Sequence, residues 1–351
     1  MKDGFAIHSS ILSFRVDPKL PTMLLALAIL SFVAIVLNVG QGEYPIATLD
    51  IIKTLFGIDT GNPDHVFVIQ TLRLPRTLVA FLVGVALAIS GTIFQGLTRN
   101  SLADPSIIGI NAGASLAAVA VIVLFPSAPV YVLPIAAFTG ALLIAIVIYT
   151  LAWDNGSSPI RLILLGIGLA AIASAFTSLL ITFGSIYDVS QALVWLAGSV
   201  YGRTWNQFWA FLPWCAVGVP LALGLTRQLN VLNLGDEVAK GLGSRVEQQR
   251  GLLVMVAVAL AGSAVATAGN IAFVGLIAPH IGRRFVGGNH QSLLPVTALL
   301  GGWLVVSADW VGRSIFSPIE LPCGVITAAI GAPFFLYLLI YKRSPKSRCT
   351  T

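Results

Sequence analysis

Two arginines lie three residues apart at the start of a long apolar run, in the segment LRLPR at residues 72–76. A guanidinium stays charged at every physiological pH and pairs with a carboxylate through two parallel hydrogen bonds. Arg73 and Arg76 are therefore candidates for binding carboxylates of a soluble partner. Arg313, near the opposite end of the chain, is a third candidate of the same type.

A simpler structural explanation stays open for each arginine. Pro75 suits the first turn of a helix, where its missing N–H does no harm, so Arg73 and Arg76 could anchor that helix end among lipid headgroups. Arg313 lies four residues after Asp309 and could pair with it along one helix. Residue types alone do not separate these explanations from carboxylate binding.

The composition places these arginines in an integral membrane protein. Of the 351 residues, 57% are hydrophobic and only 10% are charged, and the mean hydropathy is +0.91, far above that of soluble domains. The net charge of +6 is typical of basic loops that face the cytoplasm rather than of nucleic-acid binding. The three cysteines, Cys215, Cys323 and Cys349, form neither a disulfide framework nor a metal-ligand spacing.

The lengths of the uncharged runs predict the number of membrane spans, since a spanning helix needs about 20 apolar residues. Two long runs, 105–153 and 251–282, each predict two helices, because Pro126 and Pro129 interrupt the first and Gly269–Asn270 breaks the second. We therefore expect an all-α protein with about ten transmembrane helices. The runs that predict one span each are residues 20–42, 77–98, 162–187, 204–226, 285–308 and 321–341.

The distribution of basic residues predicts the orientation. An even number of spans puts both termini on one side, and both termini are basic, which places them in the cytoplasm. Only five of the 20 Lys and Arg residues then fall on the outer side: Lys53, Arg73, Arg76, Arg203 and Arg313. We expect one transmembrane domain over residues 1–351, with a cytoplasmic N-terminal segment (1–20), loop (227–250) and tail (342–351).

Three segments resemble the signature of the iron-chelate and vitamin B12 uptake permeases of ATP-binding-cassette (ABC) importers. They are LRLPRTLVAFLVGVALAISGTIFQGLTRNSLADPSIIGINAGAS at residues 72–115, GNIAFVGLIAPHIGRRFVGGNHQSLLPVTALLGG at 269–302 and ELPCGVITAAIGAPFF at 320–335. The resemblance extends over nearly the whole chain. It implies the type II ABC importer permease fold, whose ten spans and cytoplasmic termini agree with the count made from the residues.

The resemblance also implies a role for the arginines. Arg73, Arg76 and Arg313 match positions at which such permeases dock glutamates of an extracytoplasmic substrate-binding protein. Two permease chains, identical or similar, would each present one such set to one lobe of that protein.

The loop at residues 227–250 contains a second candidate site. Asp236 and Glu237 suit the start of a short helix and Lys240 its end, although a solvated surface loop fits the same pattern. The resemblance implies that this helix couples the permease to a separate ATPase subunit. The implied contact residues are Leu234, Gly235, Glu237, Ala239, Leu242 and Gly243.

Few residues suggest the translocation pathway itself. Asn111, a polar residue in the third predicted span, could face a moving substrate. The small residues Ser157 and Ser158 lie in the loop whose position resembles the cytoplasmic gate of the family.

Other functional classes fit less well. The chain contains no GK dipeptide, hence no Walker A loop, and neither HExxH nor GxSxG, so we expect no enzymatic activity and no bound cofactor or metal. An ion-coupled secondary transporter is the main alternative, but such proteins need ionisable residues within their spans, and His280 is the nearest candidate. A passive membrane scaffold is a third class.

The sequence therefore predicts the multi-pass permease subunit of an ABC importer in the cytoplasmic (inner) membrane. Its expected partners are ATPase subunits that bind ATP and Mg, a substrate-binding protein, a second permease chain and the lipid bilayer, with no nucleic acid. The expected cargo is a ferric siderophore or similar iron chelate. Vitamin B12 and haem stay open as alternatives.

Overall fold

The computed structural model describes residues 5–8, 13–16, 19–42, 44, 46–153, 158–315 and 319–341. Fifteen α-helices make up most of this part of the chain. A π-helix, Phe67–Arg73, leads directly into α4, and a 3-10 turn, Pro105–Ile108, precedes α5. The helices are α1 Lys19–Gly40, α2 Thr48–Leu55, α3 Pro63–Val66, α4 Leu74–Thr98, α5 Ile110–Leu124, α6 Val132–Leu151, α7 Pro159–Phe183, α8 Ile186–Ala197, α9 Trp205–Gly224, α10 Thr226–Asn233, α11 Asp236–Gly241, α12 Val246–Ala268, α13 Val274–Val286, α14 His290–Ser314 and α15 Cys323–Tyr341.

The helical part confirms the predicted all-α membrane fold. Within the described ranges, eight helices are long and apolar enough to cross a membrane. The two interrupted runs fold as predicted: Pro126 and Pro129 lie in the turn between α5 and α6, and Gly269–Asn270 separates α12 from α13. Helices α5 and α13, which complete the predicted set of ten, have only 15 and 13 residues. The number of crossings and the side of the termini stay predictions.

The N-terminal segment contains the only strands in the described part of the chain. Strands β1, Phe5–His8, and β2, Ser13–Val16, pair in antiparallel register, with Phe5 opposite Val16. This ribbon precedes the helical bundle. Residues 1–4, 9–12 and 17–18 of the predicted cytoplasmic segment 1–20, and the whole tail 342–351, lie outside the described residues, whereas residues 19–20 begin α1.

Helix α4 forms the centre of the bundle, where it packs against α9, α12, α13 and α14. Glycines let its backbone approach its neighbours closely, as is common where helices pack in membranes. A Cβ atom on Gly84 would lie 2.1 Å from the Gly301 carbonyl oxygen, and one on Gly91 would lie 2.0 Å from that of Gly275. The packing of α4 therefore depends on the absence of side chains at these positions.

Helices α7 and α15 lie at the edge of the bundle. Both expose large apolar side chains, among them Leu164 and Phe176 on α7 and Ile330 and Leu336 on α15. Exposed apolar helix faces are expected in a membrane protein, because lipid tails solvate them.

Candidate binding and coupling surfaces

The two predicted sites lie at opposite ends of the bundle. Arg76 stands in the first turn of α4, and Arg99 follows its last residue and lies beside Gly235 of the predicted coupling segment. A helix of 25 residues is about 37 Å long at 1.5 Å per residue. The arginines therefore lie about one membrane thickness away from the coupling segment.

Arg73 binds backbone oxygens of the segment that follows α1. Its Nη1 donates to the carbonyl oxygens of Val39, at 3.1 Å, and Gly40, at 3.3 Å, and its Nη2 donates to that of Tyr44, at 2.7 Å. Only 6% of Arg73 is exposed. The π-helix that precedes α4 ends at this residue, and Arg73 ties it to the end of α1.

Arg76 forms ion pairs with two carboxylates at this end of the bundle. Its Nη2 lies 2.7 Å from Asp309 Oδ1 and its Nε lies 3.2 Å from Oδ2, which is the bidentate geometry that guanidinium favours. Its Nη1 donates to Glu320 Oε2 at 2.8 Å. Pro75 occupies the first turn of α4 as predicted, and Arg76, the next residue, reaches Asp309 on α14.

Arg313 completes this arrangement from the end of α14. Its Nη1 donates to the Asn38 carbonyl oxygen at 3.1 Å, its Nη2 donates to that of Gln41, and its Nε lies 3.4 Å from Glu320 Oε1. The Asn38 side chain in turn donates to Asp309 Oδ2 at 3.0 Å. The helix ends of α1, α4 and α14 are thereby joined in one polar network.

The three predicted arginines thus come together, and we call Arg73, Arg76 and Arg313 the arginine cluster. The lipid-anchor explanation does not describe them, because Arg73 and Arg76 are only 6% and 7% exposed and bind protein acceptors. Arg313 also does not pair with Asp309 along α14, because Arg76 binds that carboxylate instead. The docking role implied for the cluster stays a prediction.

A cavity of about 520 Å³ lies against the arginine cluster, and Arg203 lines it as a fourth guanidinium. Tyr201 and Thr204, in the loop before α9, and Tyr44 line it as well. Burial lowers the pKa of Arg203 from its ordinary value, because the charge has lost part of its water. The sequence placed Arg203 among the outer basic residues but assigned it no role.

The predicted coupling helix forms as α11, Asp236–Gly241. Asp236 starts it and Lys240 lies in its last turn, so both charges suit the helix dipole. Arg250, 1% exposed on α12, donates to Asp236 Oδ1 at 2.6 Å and lies 3.4 Å from Glu247 Oε1. This ion pair holds the short helix against α12.

The coupling segment exposes an apolar stripe. Leu234, Val238 and Leu242 follow one another at four-residue spacing, and each is more than half exposed. Of the six predicted contact residues, Leu234, Glu237, Leu242 and Gly243 are exposed, whereas Gly235 and Ala239 are buried within the chain. Val238 was missed, although the four-residue spacing from Leu234 to Leu242 was a signal that could have found it.

A second cavity, of about 880 Å³, lies beside this segment. Ser158, Arg99 and Arg161 line it together with residues of α11. Ser158, from the predicted gate, therefore lies next to the coupling segment. Ser157 lies outside the described residues.

Asn111 is a buried residue of α5. Its Nδ2 donates to Asn270 Oδ1, at 2.7 Å, in the break between α12 and α13. The structure thus joins Asn111 to the backbone interruption, and its place in a translocation pathway stays a prediction.

No group of three or more His, Cys, Asp or Glu residues that could hold a metal ion occurs in the described part of the chain.

The long apolar helices and the two polar ends define a multi-pass membrane protein. The chain belongs to the FecCD transport family, whose profile matches residues 28–341. It is 43% identical over 320 residues to the Fe(3+)-citrate import system permease protein YfmE of Bacillus subtilis (strain 168), covering 91% of this chain and 95% of that protein. It is 42% identical over 331 residues to the iron(3+)-hydroxamate import system permease protein FhuG of the same organism, covering 91% and 97%.

A solved structure supports the same assignment. A protein described as a metal-chelate type ABC transporter in an inward-facing conformation superposes with a TM-score of 0.82 at 33% sequence identity. The match covers 91% of this chain and 99% of the solved one. The resemblance noted from the three sequence segments is thereby confirmed.

Proposed function

We propose that this protein is the permease subunit of an ABC importer and forms the pathway by which a ferric siderophore or similar iron chelate crosses the cytoplasmic membrane. The observation that carries the proposal is the match of this chain to an iron-citrate import permease, at 43% identity over 91% of this chain. The hydroxamate import permease matches equally well.

The energy for transport comes from a separate ATPase subunit, which binds ATP and Mg. The exposed stripe of Leu234, Val238 and Leu242 supports this assignment, because apolar side chains at the end of a bundle, next to charged residues, suit a protein partner better than water. The ion pair of Arg250 with Asp236 makes α11 rigid enough to transmit a movement of the ATPase to α12.

The arginine cluster faces outward, where a substrate-binding protein docks, and both termini lie in the cytoplasm. A second permease chain, identical or similar, packs beside this one. The exposed apolar faces of α7 and α15 suit contact with that chain or with lipid.

The cargo class follows from the relatives, which do not all carry iron. The cobalamin import system permease protein BtuC of Halobacterium salinarum is 45% identical over 273 residues, covering 78% of this chain and 73% of that protein. Two relatives with iron cargo match more of this chain, 91% each. We therefore assign an iron chelate and treat cobalamin as the competing cargo.

The test is purification of the tagged chain in detergent from its native cells, identification of the proteins that co-purify, and uptake assays in vesicles. We expect an ABC ATPase to co-purify and ATP to drive uptake of a ⁵⁵Fe-labelled chelate. Uptake of labelled cobalamin in place of iron would overturn the cargo. Transport driven by an ion gradient and indifferent to ATP would overturn the whole proposal in favour of a secondary transporter.

A further inference from the structure

Asn230 joins α10 to the beginning of α14 through side-chain hydrogen bonds. Its Oδ1 accepts from the backbone N–H of His290 at 3.0 Å and lies 2.7 Å from His290 Nδ1. Its Nδ2 donates to Asn289 Oδ1 at 2.9 Å. Asn289 is the N-cap residue of α14, and its Oδ1 also accepts from Gln291 N at 3.1 Å. We call Asn230, Asn289 and His290 the α10–α14 clasp.

Two backbone N–H groups, which can only donate, fix the directions of these hydrogen bonds. The His290 N–H requires that the Asn230 atom facing it be the oxygen, and the Gln291 N–H requires the same of Asn289. The Asn230 amide nitrogen therefore donates to Asn289, and His290 Nδ1 carries a hydrogen and donates to Asn230 Oδ1. The clasp thus has one arrangement in which all of its bonds form.

The clasp is packed against the last turns of α4. A Cβ atom on Gly96 would lie 2.9 Å from His290 Nε2 and 2.8 Å from Leu229 Cδ1. His290 is only 2% exposed, and Leu229, the neighbour of Asn230 on α10, is completely buried. Helices α4, α10 and α14 therefore meet in close contact at Gly96, and packing of this density transmits a displacement instead of absorbing it.

The clasp is connected to the coupling segment by a hydrogen-bonded turn. Asn230 lies four residues before Leu234, where that segment begins. Leu234 N donates to the Val231 carbonyl oxygen and Gly235 N donates to that of Leu232, both at 3.1 Å. Because these bonds close the chain between α10 and α11, a displacement of α11 is passed on to α10.

Helix α14 leads from the clasp to the opposite end of the bundle. It runs for 25 residues, about 37 Å at 1.5 Å per residue, and its last turns carry Asp309, which binds Arg76, and Arg313. The ion pair of Asp236 with Arg250 leads from the coupling segment into α12 instead, and α12 contributes no residue to the arginine cluster. The clasp therefore gives the coupling segment a hydrogen-bonded connection to a helix whose far end belongs to that cluster.

We propose that Asn230 is a positioning residue for transport, which passes the ATP-driven movement of α11 through the α10–α14 clasp to the arginine-cluster end of α14. This inference rests on the proposed function, because it requires an ATPase subunit at α11. Asn230 contacts neither nucleotide nor cargo. It acts through His290 and Asn289, as residues between two sites do when they modulate the coupling of those sites.

The test measures movement at the far end of α14 in the complete complex of permease and ATPase in lipid nanodiscs. Ile315→Cys supplies a thiol at the residue that directly follows α14 and is 65% exposed. A hydrophilic maleimide labels this thiol with and without ATP plus vanadate, which traps the ATPase with bound nucleotide. Complexes without Ile315→Cys give the background, which should be small because Cys215 and Cys323 are buried.

We expect trapped nucleotide to change the labelling rate in the Ile315→Cys complex and Asn230→Ala to abolish most of this response. Two variants of His290 separate the hydrogen bond from the volume of the side chain. His290→Asn places an N–H near the position of Nδ1 and should keep more of the response than His290→Leu, which has no donor.

Ser90→Ala is the matched control for stability. Ser90 Oγ donates to the Ala257 carbonyl oxygen at 2.8 Å, so this variant also removes a buried hydrogen bond between two helices, α4 and α12. Its Tm should fall much as that of Asn230→Ala does, whereas its labelling response to nucleotide should stay that of the parent Ile315→Cys complex.

Four outcomes would overturn the inference and leave the proposed function standing. They are a full response in Asn230→Ala, an equal loss of response in Ser90→Ala, a loss of the ATPase itself from Asn230→Ala, and no response to trapped nucleotide in the parent complex. Failure of any ATPase to co-purify with the wild-type permease would overturn the proposed function instead.

Discussion

Arg76 and Asp309, 233 positions apart in the chain, form a bidentate ion pair that joins the first turn of α4 to the last turns of α14. Asp309 is 1% exposed and also accepts a hydrogen bond from Asn38 at 3.0 Å. A buried pair of this kind fixes the relative position of the helices that it joins, because neither charge has water as an alternative partner.

Arg76→Gln should destabilise the protein by about 3–5 kcal/mol, because it leaves the Asp309 carboxylate buried without its cation. The double variant Arg76→Met/Asp309→Leu should lie closer to the wild type, since no buried charge is left over. Thermal unfolding in detergent measures both. If the single and the double variant lost the same stability, the unpaired Asp309 carboxylate would not be the cause of the destabilisation.

Gly84→Ala should destabilise the bundle by about 1–3 kcal/mol or more, because the added methyl would have to push α4 away from α14. A Cβ atom at this position would lie 2.1 Å from the Gly301 carbonyl oxygen. Gly224→Ala is the control, because no atom lies within 4 Å of its added Cβ. A Tm for Gly84→Ala equal to that of the control would contradict the close helix contact.

Val238→Ser and Leu242→Ser should reduce co-purification of the ATPase, because each removes an exposed apolar group from the stripe. Quantitative pull-down of the tagged permease measures the loss, which we expect to reach several-fold, as burying one such side chain contributes about 1.5–3 kcal/mol. The Tm of the isolated permease should not fall. Leu193→Ser, at an exposed position of α8 near the arginine end, should leave the recovery of ATPase unchanged.

Asp104→Asn should raise the Tm at pH 7–8 and lose this advantage as the pH falls. Burial raises the pKa of Asp104, between α4 and α5, above the value of about 3.9 in an unfolded chain. Between about pH 3.9 and the raised pKa, the folded state therefore binds more protons at Asp104 than the unfolded state does. The stability of the wild type decreases as the pH rises through this range. Asn keeps the Oδ1 that accepts from Ser106 N at 3.0 Å.

Asp59→Asn is the matched control for this pH dependence. Asp59 is exposed, and its Oδ1 also accepts from a backbone N–H, that of Gly61 at 2.8 Å. Its substitution should change the Tm little at any pH. A difference between wild type and Asp104→Asn that does not vary with pH would contradict the assignment of the effect to a buried carboxyl.

The sequence by itself determined the class of protein and most helix positions. Membrane spans are local features, because each depends only on a sufficient length of uncharged residues. The breaks were equally local: proline and glycine interrupt helices through their own backbone geometry, as at Pro126, Pro129 and Gly269. For the short helix α11, the charges suited the two ends of a helix dipole but fitted a solvated surface loop as well. The family resemblance decided for the helix.

Only the tertiary structure decided which partners the polar residues take. In sequence, Arg313 is the natural partner of Asp309, one helical turn away, yet the packing of α4 against α14 gives that carboxylate to Arg76. The packing also buries Ala239 and exposes Val238, its neighbour. Partner choice and burial depend on contacts between segments far apart in the chain, and a local pattern of residues does not contain them.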